Sequence, residues 1–164
     1  MGSQLLAAHN LLMGTANLLV LGLPEGWLLM EGYAHPEVDA WTEYQNRRWV
    51  SRGQGVYRLV EPHPGQPGLI RSEVELSVLA TPSQVLAEGG EPFEVAGHPG
   101  VIFQATVPKG LWPRRSLPAL KVEWLCPHTG RLLRLLVNGV LPAPLGREAL
   151  MRLLEAIAAG VQCH

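Results

Sequence analysis

Charge is what this chain has least of. Only 16% of its 164 residues are charged, where soluble domains carry about 25%. Asp39 is the one Asp beside 13 Glu, two Lys stand beside 11 Arg, and no Lys or Arg precedes Arg47. The net charge of −1 argues against a dedicated nucleic-acid or anionic-membrane binder, whose affinity rests on many cations. The two cysteines, Cys126 and Cys163, are too few for a disulfide framework. Also missing are a glycine-rich phosphate loop, a dinucleotide fingerprint, a Gly-x-Ser-x-Gly elbow and a His-Glu-x-x-His pair. With Asp almost absent, any carboxylate chemistry falls to Glu, and Glu73 and Glu75 read as solubilising charges on one strand face.

What is present is apolar. Hydrophobic residues make up 47% of the chain, enough to bury a core and to exclude a disordered class. The length suits one domain spanning 1–164. Leu outnumbers Ile 28 to 3, a skew that a GC-rich genome writes, and the 14 prolines also suit a thermophilic source. The run from Leu5 to Leu23 is interrupted by His9, Asn10, Thr15 and Asn17, so it falls short of the roughly 20 unbroken apolar residues of a membrane span. No basic residue precedes it, as a secretory leader would need. The expectation is a soluble, cytoplasmic protein.

Local patterning predicts an α+β fold. Gln4–Met13 reads as a short helix within a 1–14 N-terminal segment, followed by strands at Asn17–Leu23 and Trp27–Tyr33 around the Pro24-Glu25-Gly26 turn. The polar, aromatic stretch His35–Gln54 is either a helix with Pro36 at its first position or an irregular excursion. Val56–Glu61 and Leu69–Ala80 flank a Pro/Gly loop, and Val74, Leu76 and Val78 alternate with Glu73, Glu75 and Ser77, the period of a half-solvated antiparallel strand. Thr81-Pro82 opens a short inserted helix at Ser83–Glu88. Hairpins follow at Phe93–Ala96/Val101–Val107 and at Leu120–Cys126/Arg131–Val137, with a loop from Pro108 to Pro118 between them. Gly146–Ala159 is an amphipathic helix with Leu150, Leu153, Leu154 and Ile157 on one face. Gly160 stops it, leaving 161–164 as a frayed tail. The sum is a largely antiparallel sheet of about seven or eight strands, with a short N-terminal helix, a short inserted helix and a C-terminal helix packed on the sheet.

Two turns carry a resemblance. Leu23-Pro24-Glu25-Gly26-Trp27 and Val95-Ala96-Gly97-His98-Pro99-Gly100, in this order of elements, resemble the PsbP/Mog1-like group and small archaeal or thermophile proteins of that type. The resemblance implies a binding module more than a catalyst and transfers no functional residue.

Histidine placement is the most specific oddity. His35, His63 and His98 each precede a proline, and His128 follows one. If the strands from Val56 onward form a simple meander, the loops carrying His63, His98 and His128 share one rim with Cys126 just below, and three imidazoles with a thiolate make a Zn²⁺ set. His-Pro is equally good turn chemistry. Cys126 as a nucleophile would need a base such as His128, and Cys163 reads as a free thiol in the tail. A second candidate is the aromatic and basic run Trp41, Tyr44, Arg47, Arg48, Trp49 and Arg52, with Tyr57 beyond it and Arg114 and Arg115 in a later loop. Such residues stack bases or form protein-binding hot spots.

The functional expectation is a non-enzymatic binding module for a protein partner or a small apolar ligand, without a resident cofactor. The alternatives are a small metal-dependent hydrolase on the histidine rim and a helix-grip lipid-binding protein. Homo-oligomerisation fits the low surface charge.

Overall fold

Apolar alternation sets which face of each central strand turns to the core. The structure, a computed structural model, describes residues 3–10, 14–31, 54–82, 85–109, 115–141 and 143–164. Among the described residues nine strands run β1 (Ser3–Asn10), β2 (Gly14–Gly22), β3 (Leu28–Glu31), β4 (Gln54–Pro62), β5 (Ile70–Thr81), β6 (Glu91–Val95), β7 (His98–Lys109), β8 (Arg115–Cys126) and β9 (Arg131–Leu141), and helix α1 (Arg147–Ala158) follows them. β1 and β2 form a two-stranded hairpin, while the other seven form one sheet in the order β3-β4-β5-β9-β8-β7-β6. Every pairing is antiparallel.

Registered neighbours put one residue in two on the core side. Tyr57, Leu76, Val137 and Leu120 form one cross-strand row, and Gly55, Val78, Leu135, Val122 and Ile102 form the next. A third row is Ala80, Leu133, Trp124 and Gly100. Over these rows lie α1, through the buried Leu150, Leu153, Leu154 and Ile157, and β2, through Leu19 and Leu21. Each Leu-sized side chain removed from water there contributes about 1.5–3 kcal/mol. The β1–β2 hairpin is tied to the main sheet at Tyr57, whose hydroxyl accepts from the Ala7 N–H and donates to the Ala7 carbonyl.

The opposite face holds buried charge. Glu123 is 1% exposed and is met by Arg134 and Lys121, and the Lys121 ammonium lies 4.3 Å from the Phe103 ring centre. Glu73, expected as a solubilising charge, is instead buried in an ion pair with Arg58.

The fold is therefore more β than the α+β expectation, with α1 the one helix among the described residues. Gln4–Met13 is not a helix at its described positions. Residues 4–10 pair with β2, because a short apolar run satisfies either period and a partner strand decides. Positions 85–88 of the expected inserted helix are irregular. Both ends of the expected Pro108–Pro118 loop belong to strands instead, since β7 runs to Lys109 and β8 begins at Arg115. Residues 161–164 are not frayed: Gln162 bridges Val20, and Val161 and Cys163 are buried. Residues 35–53 of the polar stretch lie outside the described residues. Among the described residues no helix is long and apolar enough to cross a membrane.

Candidate metal centre at the sheet rim

The same alternation that builds the core places two donors at its lower edge. Cys126 is two residues beyond Trp124 on β8, and His98 is two residues before Gly100 on β7. Trp124 and Gly100 are partners, so His98 and Cys126 fall side by side in the next row on the core-facing side. The tight turn is Ala96-Gly97, with φ of 54° and 75°, which makes His98 the first residue of a strand rather than part of a loop.

The segment after α1 supplies two more donors. Gly160 ends the helix, its carbonyl accepts from the Gly22 N–H at 2.8 Å, and Val20 and Gln162 exchange backbone hydrogen bonds of 2.8 and 2.9 Å. This added strand-like segment carries Cys163 and His164 onto the rim. The donor atoms of His98, Cys126, Cys163 and His164 all lie within 4.8 Å of one another. His164 Nδ1 stands 3.6 Å from Cys126 Sγ and 3.5 Å from Cys163 Sγ. A tetrahedron built on Zn–S of about 2.3 Å and Zn–N of about 2.0 Å has N···S edges of about 3.5 Å. The two observed separations already have that length.

The surroundings favour thiolate. Burial works against ionisation of Cys126, but contacts from the Cys163 thiol, the Thr129 hydroxyl and backbone N–H, and the His164 ring outweigh it and bring the thiol down to about 6. Cys163 is pushed up to about 12 by burial and by the neighbouring Cys126 sulfur. Trp124 Nε1 is buried without a hydrogen-bond partner, and it lies where it favours the thiolate of Cys163.

His98 and Cys126 come together as the sequence suggests, but His63 does not join them. β5 and β9 are neighbours, and the 82–90 connection crosses to β6 on the far edge so that β6 runs parallel to β5. A meander would alternate the loops. This crossover moves the β6–β7 and β8–β9 turns to the end opposite the β4–β5 loop, where His63 is exposed and its ring Nδ1 meets the Pro64 carbonyl at 2.8 Å. His128 reaches the rim but stacks on His164, with ring centres 3.9 Å apart, and stands 6.2 Å from the His98 ring. Cys163 and His164 were not legible as donors because the tail was expected to fray. The signal they offer is two adjacent ligand-type residues just after a helix stop.

Trp41, Tyr44, Arg47, Arg48, Trp49, Arg52 and Arg114 lie outside the described residues. Arg115 is exposed at the start of β8, at the other end of the strand from Cys126. No family model, curated protein or solved structure matches this chain.

Proposed function

We propose that this protein is a metal-binding module that takes one thiophilic divalent cation, Zn²⁺ foremost, on His98, Cys126, Cys163 and His164. The observation that carries the reading is His98: its Nε2 is a buried nitrogen with no hydrogen-bond partner, and a ring nitrogen of this residue lies within 4.8 Å of two sulfurs and a second imidazole nitrogen. Hydrogen bonding accounts for the other three donors and leaves this atom without a role. A buried polar atom left unpaired costs about 1–3 kcal/mol, and a cation supplies what it lacks. Cys₂His₂ is a closed zinc shell, and softness and tetrahedral spacing favour Zn²⁺ over Mg²⁺ or Ca²⁺.

Four protein donors leave no position for a metal-bound water. That favours a non-enzymatic module over the metal-dependent hydrolase, whose metal keeps one site open. The cation would join β7, β8 and the segment behind α1, so binding energy becomes folding energy. The resemblance to the PsbP/Mog1-like group contributes only the His98 turn to this site. A binding role towards a small ligand has one observation in its favour, a cleft of about 370 Å³ lined by Phe93, Glu94, Ala96, Gly97, Glu155, Ala158 and Ala159. It opens beside the helix, whereas the helix–sheet interface is filled by Trp124, Leu133, Leu135, Leu150 and Ile157, so the helix-grip reading has less support.

Cobalt substitution tests the proposal. One equivalent of Co²⁺ should give the intense visible bands of a tetrahedral site with sulfur-to-cobalt charge transfer, and Zn²⁺ should displace them. A weak octahedral spectrum, or uptake far below one equivalent, would overturn it.

A further inference from the structure

We infer that Cys126 and Cys163 are a two-electron oxidation site that reduces a hydroperoxide and closes to a disulfide, releasing the cation. The release half of this inference rests on the metal reading; the disulfide half rests only on the sulfurs.

The two thiols come from distant parts of the chain, are both free and buried, and have their sulfurs within 4.8 Å. A disulfide needs an S–S distance of about 2.05 Å, so the sulfurs must close by less than 3 Å. Cys163 sits just after the Val20–Gln162 bridge, beyond the last backbone pairing, where a small rotation moves it without breaking the sheet. Cys163 and His164 also line a cleft of about 220 Å³, together with Leu5, Leu18, Val20 and Thr129. Cys126 is not part of that lining. A small oxidant therefore meets Cys163 first, and Cys126 stands behind it.

In the metal-free protein His164 Nδ1, within 3.6 Å of both sulfurs, takes the Cys163 proton; in the loaded protein the cation has already displaced that proton, and solvent supplies the one the imidazole otherwise returns. The thiolate attacks the near oxygen of H₂O₂, the O–O bond breaks, and the departing hydroxide leaves as water with the proton returned by the imidazole. The Cys126 thiolate then attacks the sulfenic sulfur, the S–O bond breaks, and the departing hydroxide takes a proton from solvent as a second water. One thiol, one thiolate, one peroxide and one solvent proton become one disulfide and two waters. A disulfide offers no thiolate to the cation, so two of the four donors vanish together and the metal is lost.

The experiment treats full-length protein with one equivalent of H₂O₂, once loaded with Zn²⁺ and once stripped by a chelator. Released zinc is read with a chromogenic chelator, and thiol state by intact mass and peptide mapping. The expected result in both arms is loss of two hydrogens and a Cys126–Cys163 cross-linked peptide. In the loaded arm about one zinc per chain should appear, and dithiothreitol should reverse both changes. In Cys126→Ser protein a dimedone adduct should collect on Cys163, while Cys163→Ser protein should leave Cys126 unlabelled. Sulfinic or sulfonic acids without the cross-link, or bridges only between chains, would overturn the inference. A protein that takes up no zinc yet forms the intramolecular bridge would sink the metal reading and leave the disulfide standing.

Discussion

Gly22 and Gly160 touch backbone to backbone. A Cβ on Gly22 would lie 2.7 Å from the Gly160 Cα, and one on Gly160 would lie 2.5 Å from the Gly22 Cα. Neither neighbour is a flexible side chain, so the backbones themselves must part. That contact fixes how closely the segment after α1 approaches β2, and through it where Cys163 and His164 arrive. Gly160→Ala should cost about 1–3 kcal/mol, the range of overpacking in a tight site, and should weaken Zn²⁺ binding although residue 160 donates nothing to the metal. Thermal denaturation with and without Zn²⁺ checks this. A substitution that lowers Tm but leaves metal affinity unchanged would break the link between the glycine pair and the site.

The core strands were legible because period-two alternation in Val74–Val78 and Val122–Cys126 leaves one face apolar, and α1 because its leucines recur at helical spacing. Sheet order was not legible. Nothing in residues 82–90 announces that the chain crosses to the far edge before β6, and that single crossover separates His63 from His98. The 4–10 segment is equally ambiguous in isolation, since Leu5, Leu6, Ala7 and Ala8 suit either period until β2 supplies a partner. Half of the candidate centre was readable on β7 and β8. The other half depends on a backbone approach between two glycines, which residue types alone do not encode.

Separate histidine substitutions distinguish the four donors from the rings around them. His98→Ala should lower Zn²⁺ affinity by at least about 100-fold, beyond the 10–100-fold typical of outer-shell partners. His63→Ala should change nothing, because His63 lies at the other end of the sheet. His128→Ala should lose only the stacking that orients His164, an effect of about tenfold or less. Competition titration against a chromogenic chelator reads all three. Equal losses for His98 and His128 would mean that the donor set is wrongly drawn.

Glu123 sets an acid limit. Burial alone would raise its carboxyl, but Lys121 and Arg134 outweigh burial and hold it below the ordinary Glu value. A depressed folded value gives stability that is fully present above the unfolded value of about 4.3 and is lost as pH falls through the folded one. Chemical denaturation of the metal-free protein should therefore show the free energy declining below about pH 4.5. Glu123→Gln should flatten that decline. At neutral pH it should cost about 1–2 kcal/mol, less than a fully buried pair because both cations keep partial contact with water.

Tyr57 holds the β1–β2 hairpin to the main sheet by one atom. Its hydroxyl serves both the N–H and the carbonyl of Ala7, and Gly55 leaves room for the ring, since a Cβ there would sit 2.8 Å from Tyr57 Cε2. Tyr57→Phe keeps the ring and removes the bridge, leaving two buried backbone groups to find other partners. The expected cost is about 2 kcal/mol. Hydrogen exchange should show where it falls, with protection lost first in β1 and β2 while β5, β8 and β9 keep theirs. β2 also carries the Val20–Gln162 bridge, so the same variant should loosen Cys163 and His164 and weaken Zn²⁺ binding by several-fold. Uniform loss of protection across all nine strands would show instead that the hairpin and the seven-stranded sheet unfold as one unit.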